Sequence, residues 1–189
     1  RNANTIANNG VAIGNEAKVQ STNGFALGNN SRAGFNKADQ LVGKDNDLAF
    51  GPNARAWGGT SMAFGNDAES GGGSAIAIGN KAYSMGDHGV ALGTNAQSRG
   101  EEAPALGTNS TANGKYSVAV GRKSLASNEQ DIAIGSGAQA SGMNSLAVGS
   151  GAKATKNSSI AIGNGSESNG TSSAVIGSKN NVNSDDTYV

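Results

Sequence analysis

The sequence has no cysteine, two prolines, one histidine, one tryptophan, three tyrosines and four phenylalanines in 189 residues. Without cysteine there is no disulfide framework, thiolate metal site or cysteine nucleophile. The one histidine, His88, excludes multi-histidine metal sites and would leave a Ser-His-Asp triad to one turn-proximal residue. An excess of charge of either sign is also lacking, since 14 basic residues balance 14 acidic ones. That gives no electrostatic footprint for nucleic acid. No run approaches the roughly 18 apolar residues of a membrane-spanning helix, and RNANTIANNG at the start lacks the basic and apolar regions of a signal peptide. Large apolar residues are scarce too: 35% of the chain is hydrophobic, and 30 of those residues are alanine. An ordinary one-core enzyme domain is not expected on that count, nor is a cofactor.

What is present is small and periodic. Thirty glycines accompany the alanines. A unit of apolar, Ala, apolar, Gly recurs as VAIG ending at Gly14, FALG at Gly28, LAFG at Gly51, MAFG at Gly65, IAIG at Gly79 and VALG at Gly93. It continues as PALG at Gly107, VAVG at Gly121, IAIG at Gly135, LAVG at Gly149, IAIG at Gly163 and AVIG at Gly177. From Gly51 to Gly177 the step is 14 residues without slippage. Such self-similarity is the mark of a repeat architecture.

Large residues lie three and one before each Gly, as Ile76 and Ile78, and small ones three and five after it, as Ala82 and Ser84. A spacing of two is one face of a strand. A second Gly, seven after the first, occurs at Gly58, Gly72, Gly86, Gly100, Gly114, Gly142 and Gly170, where a reversing chain needs φ > 0 or a close approach. Two short strands and two tight turns per 14 residues predict one flattened coil of a parallel β-roll, with rungs stacked about 4.8 Å apart. The expectation is that the two large residues fill the roll and that the Ala between them points outward. A full-length outward stripe of Ala63, Ala77, Ala91, Ala105, Ala119, Ala133, Ala147 and Ala161 then reads as the face on which copies of the chain assemble.

These units, often preceded by a polar pair such as Asn144-Ser145, resemble the YadA-like head repeats of trimeric autotransporter adhesins. The resemblance covers nearly the whole chain, so 1–189 is expected to be a single head. It implies an all-β, left-handed parallel β-roll with 14-residue rungs, assembled as a homotrimer. It further implies display at the bacterial cell surface and attachment to a host cell-surface receptor or an extracellular-matrix protein of the collagen, fibronectin or laminin class, with autoagglutination. Membrane attachment would come only through a stalk and anchor that this sequence lacks.

Two departures from the period are candidate binding elements. Between Gly28 and Gly51 the step is 23 residues, one rung plus nine, so the segment 32–47 is expected to leave the roll as an irregular loop carrying Arg32, Phe35, Lys37, Asp39, Lys44 and Asp45. On the outward second strand, Arg55 and Trp57, then Tyr83 and Met85, with Arg99 and Leu125 further along, form a discontinuous strip of residue types enriched at binding hot spots. The rival readings predict other patterns. Hexapeptide-repeat acyltransferases need about 18 residues per three-sided coil, calcium-binding nonapeptide repeats need period nine, and ice-binding solenoids need ranked Thr on a flat face.

Overall fold

The structure is a computed structural model and describes residues 2–36, 38–42 and 44–189. The chain is an all-β parallel β-solenoid of about 13 turns with rungs of about 14 residues. Two compact units divide it, 1–96 and 97–189. Each regular rung is a three-residue strand, a tight turn, a two-residue strand and a second turn, as in Ile76–Ile78 followed by Tyr83–Ser84.

In the first unit the three-residue strands stack in parallel with Val11, Phe25, Leu48, Met62, Ile76 and Val90 in one register column. The two-residue strands stack as Asn4, Lys18, Arg32, Arg55, Glu69 and Tyr83. The second unit repeats this with Ala105, Ala119, Ala133, Ala147, Ala161 and Val175 in one sheet and Gln97, Thr111, Leu125, Gln139, Lys153, Glu167 and Asn181 in the other. The rung at Pro104 has its strand shortened to Ala105–Leu106, consistent with a residue that has no N–H to give.

The interior is built from alanine and serine, and this reverses the expected orientation of the first strand. Ala63, Ala77, Ala91, Ala105, Ala119, Ala133, Ala147 and Ala161 are all 0% exposed and face into the roll. Their flanking large residues point out, with Ile78 41% and Phe64 40% exposed. On the second strand the expectation matches the structure: Ala82 and Ser84 are buried. Each rung thus contributes four inward side chains, such as Ala75, Ala77, Ala82 and Ser84. Between backbones held that close most inward positions take a methyl or a hydroxymethyl group, with Val19, Val175, Asp47 and Asp131 the largest side chains fully buried, and Ile and Leu face outward. Because strand faces alternate, a one-residue misreading exchanges them completely.

The turns explain the glycines. The repeat Gly combines a positive φ with a close approach: at Gly79 φ is 136°, and a Cβ would sit 2.5 Å from the carbonyl oxygen of Gly93. The second Gly needs only the close approach, since a Cβ on Gly100 would strike the Gly114 carbonyl. Left-handed residues instead fall two after the repeat Gly and five before the next, as Asn53 and Thr60 or Asp67 and Ser74. Asn and Asp, which tolerate that region, are frequent there.

The 23-residue interval is a strap on the roll rather than a loop beginning at Arg32. Arg32–Ala33 is a regular strand in register with Lys18–Val19 and Arg55–Ala56. The chain departs after it, makes an antiparallel bridge between Phe35 and Leu41, and is back in the ladder by Asn46, whose N–H donates to Thr22 O at 2.9 Å.

Candidate binding surfaces

Three surfaces of the first unit result from this geometry. The first is the outward face of the three-residue strands. Its two columns hold only apolar residues, from Val11 and Ile13 through to Val90 and Leu92, with no charge and no hydrogen-bonding side chain. Three aromatic rings stack along it: Phe25 on Phe50 at 4.9 Å between centroids and 9° between planes, and Phe50 on Phe64 at 4.4 Å and 12°. Val11, Ile13, Leu27, Met62, Phe64, Ile78 and Leu92 are all exposed along it, a contiguous apolar strip of the kind that marks an interaction surface. The sequence reading missed these residues because it placed them inside. A signal was available: the residue four before each repeat Gly is Gly24, Asp47, Ser61, Ala75 or Gly89, always small or short and two away from the Ala, which marks that pair as the inward face.

The second surface is the outer face of the two-residue strands. Trp57 and Met85 close over the gap at Gly71, where a Cβ would lie 2.7 Å from Trp57 Cε2 and 2.6 Å from Met85 Sδ. Both are half-buried, as is Tyr83, which sits in register beside Glu69 and next but one to Arg55. The structure therefore brings Arg55, Trp57, Tyr83 and Met85 together on one sheet. Arg99 and Leu125 belong to the second unit, where Arg99 Nη1 donates to Asn113 Oδ1 at 3.2 Å and Leu125 is half-buried between Thr111 and Gln139.

The strap is the third. Asp39 pairs with both Arg32 and Arg55, the latter at 2.9 Å, and Arg55 Nη1 also donates to Asn36 O at 3.0 Å. Arg32 further donates from Nε and Nη2 to Asn30 Oδ1 at 3.2 and 2.8 Å. Burial and the neighbouring Arg55 press the Arg32 guanidinium below its ordinary value, while Glu16 opposes them; an arginine keeps its charge regardless. Arg32 and Phe35, expected as exposed contacts, are 7% and 6% exposed and serve to seat the strap. Lys37 lies outside the described residues. Asp39, expected only as one residue of the candidate loop, instead fastens the strap, since a bridge to arginines on neighbouring rungs leaves no local pattern.

Two buried acids stabilise turns. Asp47 Oδ1 accepts from Ser61 Oγ at 2.7 Å, Ser61 N at 3.2 Å and Gly59 N at 2.9 Å. Asp131 Oδ1 repeats this one rung before Ser145, with Oγ at 2.8 Å and N at 2.9 Å. Among the described residues no group of three or more His, Asp or Glu side chains could hold a metal ion. No helix of the described residues is long and apolar enough to cross a membrane.

No curated protein matches the chain. The YadA head domain repeat does, over residues 6–31, 44–68, 70–96, 98–124, 126–152 and 154–180. The stretch from 32 to 43 that separates the first two matches contains most of the strap. With a family model matched over most of its length and a β-solenoid rung of the same period, the chain belongs to the YadA head family.

Proposed function

We propose that this chain is the head of a bacterial cell-surface adhesin that assembles as a homotrimer and attaches to a host receptor or to matrix proteins of the collagen, fibronectin or laminin class. The observation that carries the reading is the uncharged apolar face of the three-residue strands in a chain of this family. An interior of alanine methyls buries little apolar area per rung, so association through that face supplies burial the roll lacks. The face repeats every 14 residues, and a second copy offers the same flat, uncharged surface with the same spacing. This replaces the alanine stripe as the assembly surface.

With one sheet given to assembly, the outer sheet is left for the ligand. Trp57, Tyr83 and Met85 are its best contacts, an aromatic and thioether cluster beside the strap. Arg99 and Leu125 extend the same kind of surface in the second unit. The family is adhesive rather than enzymatic in kind. Light scattering should give a mass near three times the chain's 18.6 kDa, and the recombinant head should bind one or more immobilised matrix proteins. A clean monomer would overturn the assembly, and binding to no matrix protein and no epithelial surface would overturn the adhesive reading.

A further inference from the structure

The apolar face has a degeneracy that its periodicity creates. Every rung of the first unit presents two large apolar side chains at the same two positions, so a neighbouring copy displaced by one rung meets a similar surface to one in register. In a closed trimer a slipped copy forfeits only one rung of contact with each of its two neighbours. Weakly specified register is the usual fate of repetitive strands, and it is cured by residues that break the repeat.

In the first unit the repeat is broken by Phe25, Phe50 and Phe64. They occupy three successive rungs and are the unit's only aromatic residues on that face. The rings are parallel and in contact, so their positions are fixed by one another before any partner arrives. The stack also crosses the face: Phe25 lies three before its repeat Gly, whereas Phe50 and Phe64 lie one before theirs. It therefore marks both a height and a direction. Below it stand Val11 and Ile13, and above it Ile76 and Ile78, none of which matches a ring in shape or in its electrostatic quadrupole.

We propose that the stacked rings of Phe25, Phe50 and Phe64 set the axial register in which copies of this chain pack against one another. The inference rests on the homotrimer reading and adds to it what selects one alignment among many similar ones. In register, ring layers of the copies lie at one height. A slip by one rung sets rings against aliphatic side chains at both ends of the stack.

The test uses the whole chain with an aliphatic diazirine amino acid at Ile78, one rung beyond the stack, and mass spectrometry of the photo-adducts. In the native background the adducts should map to one rung of the neighbour. In F25L/F50L/F64L, which keeps the face apolar, adducts one rung away should rise about threefold or more as register loosens. Phe64→Leu alone, a milder change if the triple variant folds poorly, should move the distribution in the same direction. An equally sharp map in every variant, with light scattering still giving a trimer, overturns the register role and leaves the trimer standing. A monomeric mass for the native chain overturns the trimer itself.

Discussion

Asp39 Oδ1 accepts a hydrogen bond from Arg55 Nη1 at 2.9 Å across 16 residues of sequence, pinning the strap to the strand of the next rung. The same carboxylate pairs with Arg32, so it sits over two arginines that register directly side by side. Lys18 continues that basic column by one more rung.

Asp39→Asn keeps the residue type that tolerates its φ of 55° and removes only the charge. The strap should loosen while the roll survives. Limited trypsin digestion should cut at Lys44 several-fold faster, with the melting temperature lowered by less than the equivalent of about 1 kcal/mol, because half-exposed ion pairs contribute little. Unchanged cleavage would show that the Phe35 packing alone seats the strap.

Ala77→Leu and Ile78→Ser make a paired test of the sheet's orientation. Ala77 is fully buried, so the larger side chain should destabilise the fold by about 3 kcal/mol through overpacking. Ile78 faces out, so its replacement should leave the circular dichroism of the fold intact and weaken self-association instead. The opposite assignment of effects would restore the outward alanine stripe.

Gly100→Ala and Gly137→Ala separate two reasons for glycine within the second unit. At Gly100 a Cβ would collide with the Gly114 carbonyl, and the substitution should cost at least about 3 kcal/mol or prevent folding. At Gly137 φ is 70° with open space around it, and the cost should stay near 1 kcal/mol, the strain of a left-handed alanine. Thermal melts of the two variants decide this directly.

Burial pushes the Asp47 carboxyl above its ordinary value, against the donors from Ser61 and Gly59 and the nearby Ser21 hydroxyl. The folded state therefore binds a proton more readily than the unfolded state between the ordinary and the raised values. In that window stability at this site falls as pH rises, and acidification from neutrality toward the ordinary carboxylate range restores it. Asp47→Asn retains an acceptor for the three donors and carries no charge. It should flatten this part of the pH–stability profile and raise stability at pH 7 by about 1 kcal/mol, whereas Asp47→Ala, which orphans the donors, should lower it by about 2 kcal/mol. Melts of the three proteins at pH 5 and pH 8 measure the difference in slope.

Much of this architecture is legible in the sequence because a period of 14 with spacing-two pairs admits few solutions. The two strands, the two turns and the inward Ala82 and Ser84 follow from it. The first strand is ambiguous: large residues flanking a small one satisfy either face until the small residue four before the Gly is counted with the Ala. The left-handed positions are hidden for a different reason. Asn53, Lys81, His88 and Tyr116 all adopt positive φ, and so mixed a set leaves no consensus to read. The length of the strap is plain from the 23-residue interval, but its docking depends on Asp39 meeting arginines on separate rungs, which only the fold brings together.

The fixed step of 14 also governs how the roll can form. Ladder partners such as Ile76 and Val90 are always one rung apart in sequence, so each new rung closes a loop of the same modest length onto a template already in place. The strap lengthens one such closure from 14 to 23 residues, between Phe25 and Leu48. On a logarithmic loop-entropy scale that adds only about 0.4 kcal/mol. A nine-residue insertion therefore interrupts the spacing of the sequence while hardly slowing the rung-by-rung growth of the fold.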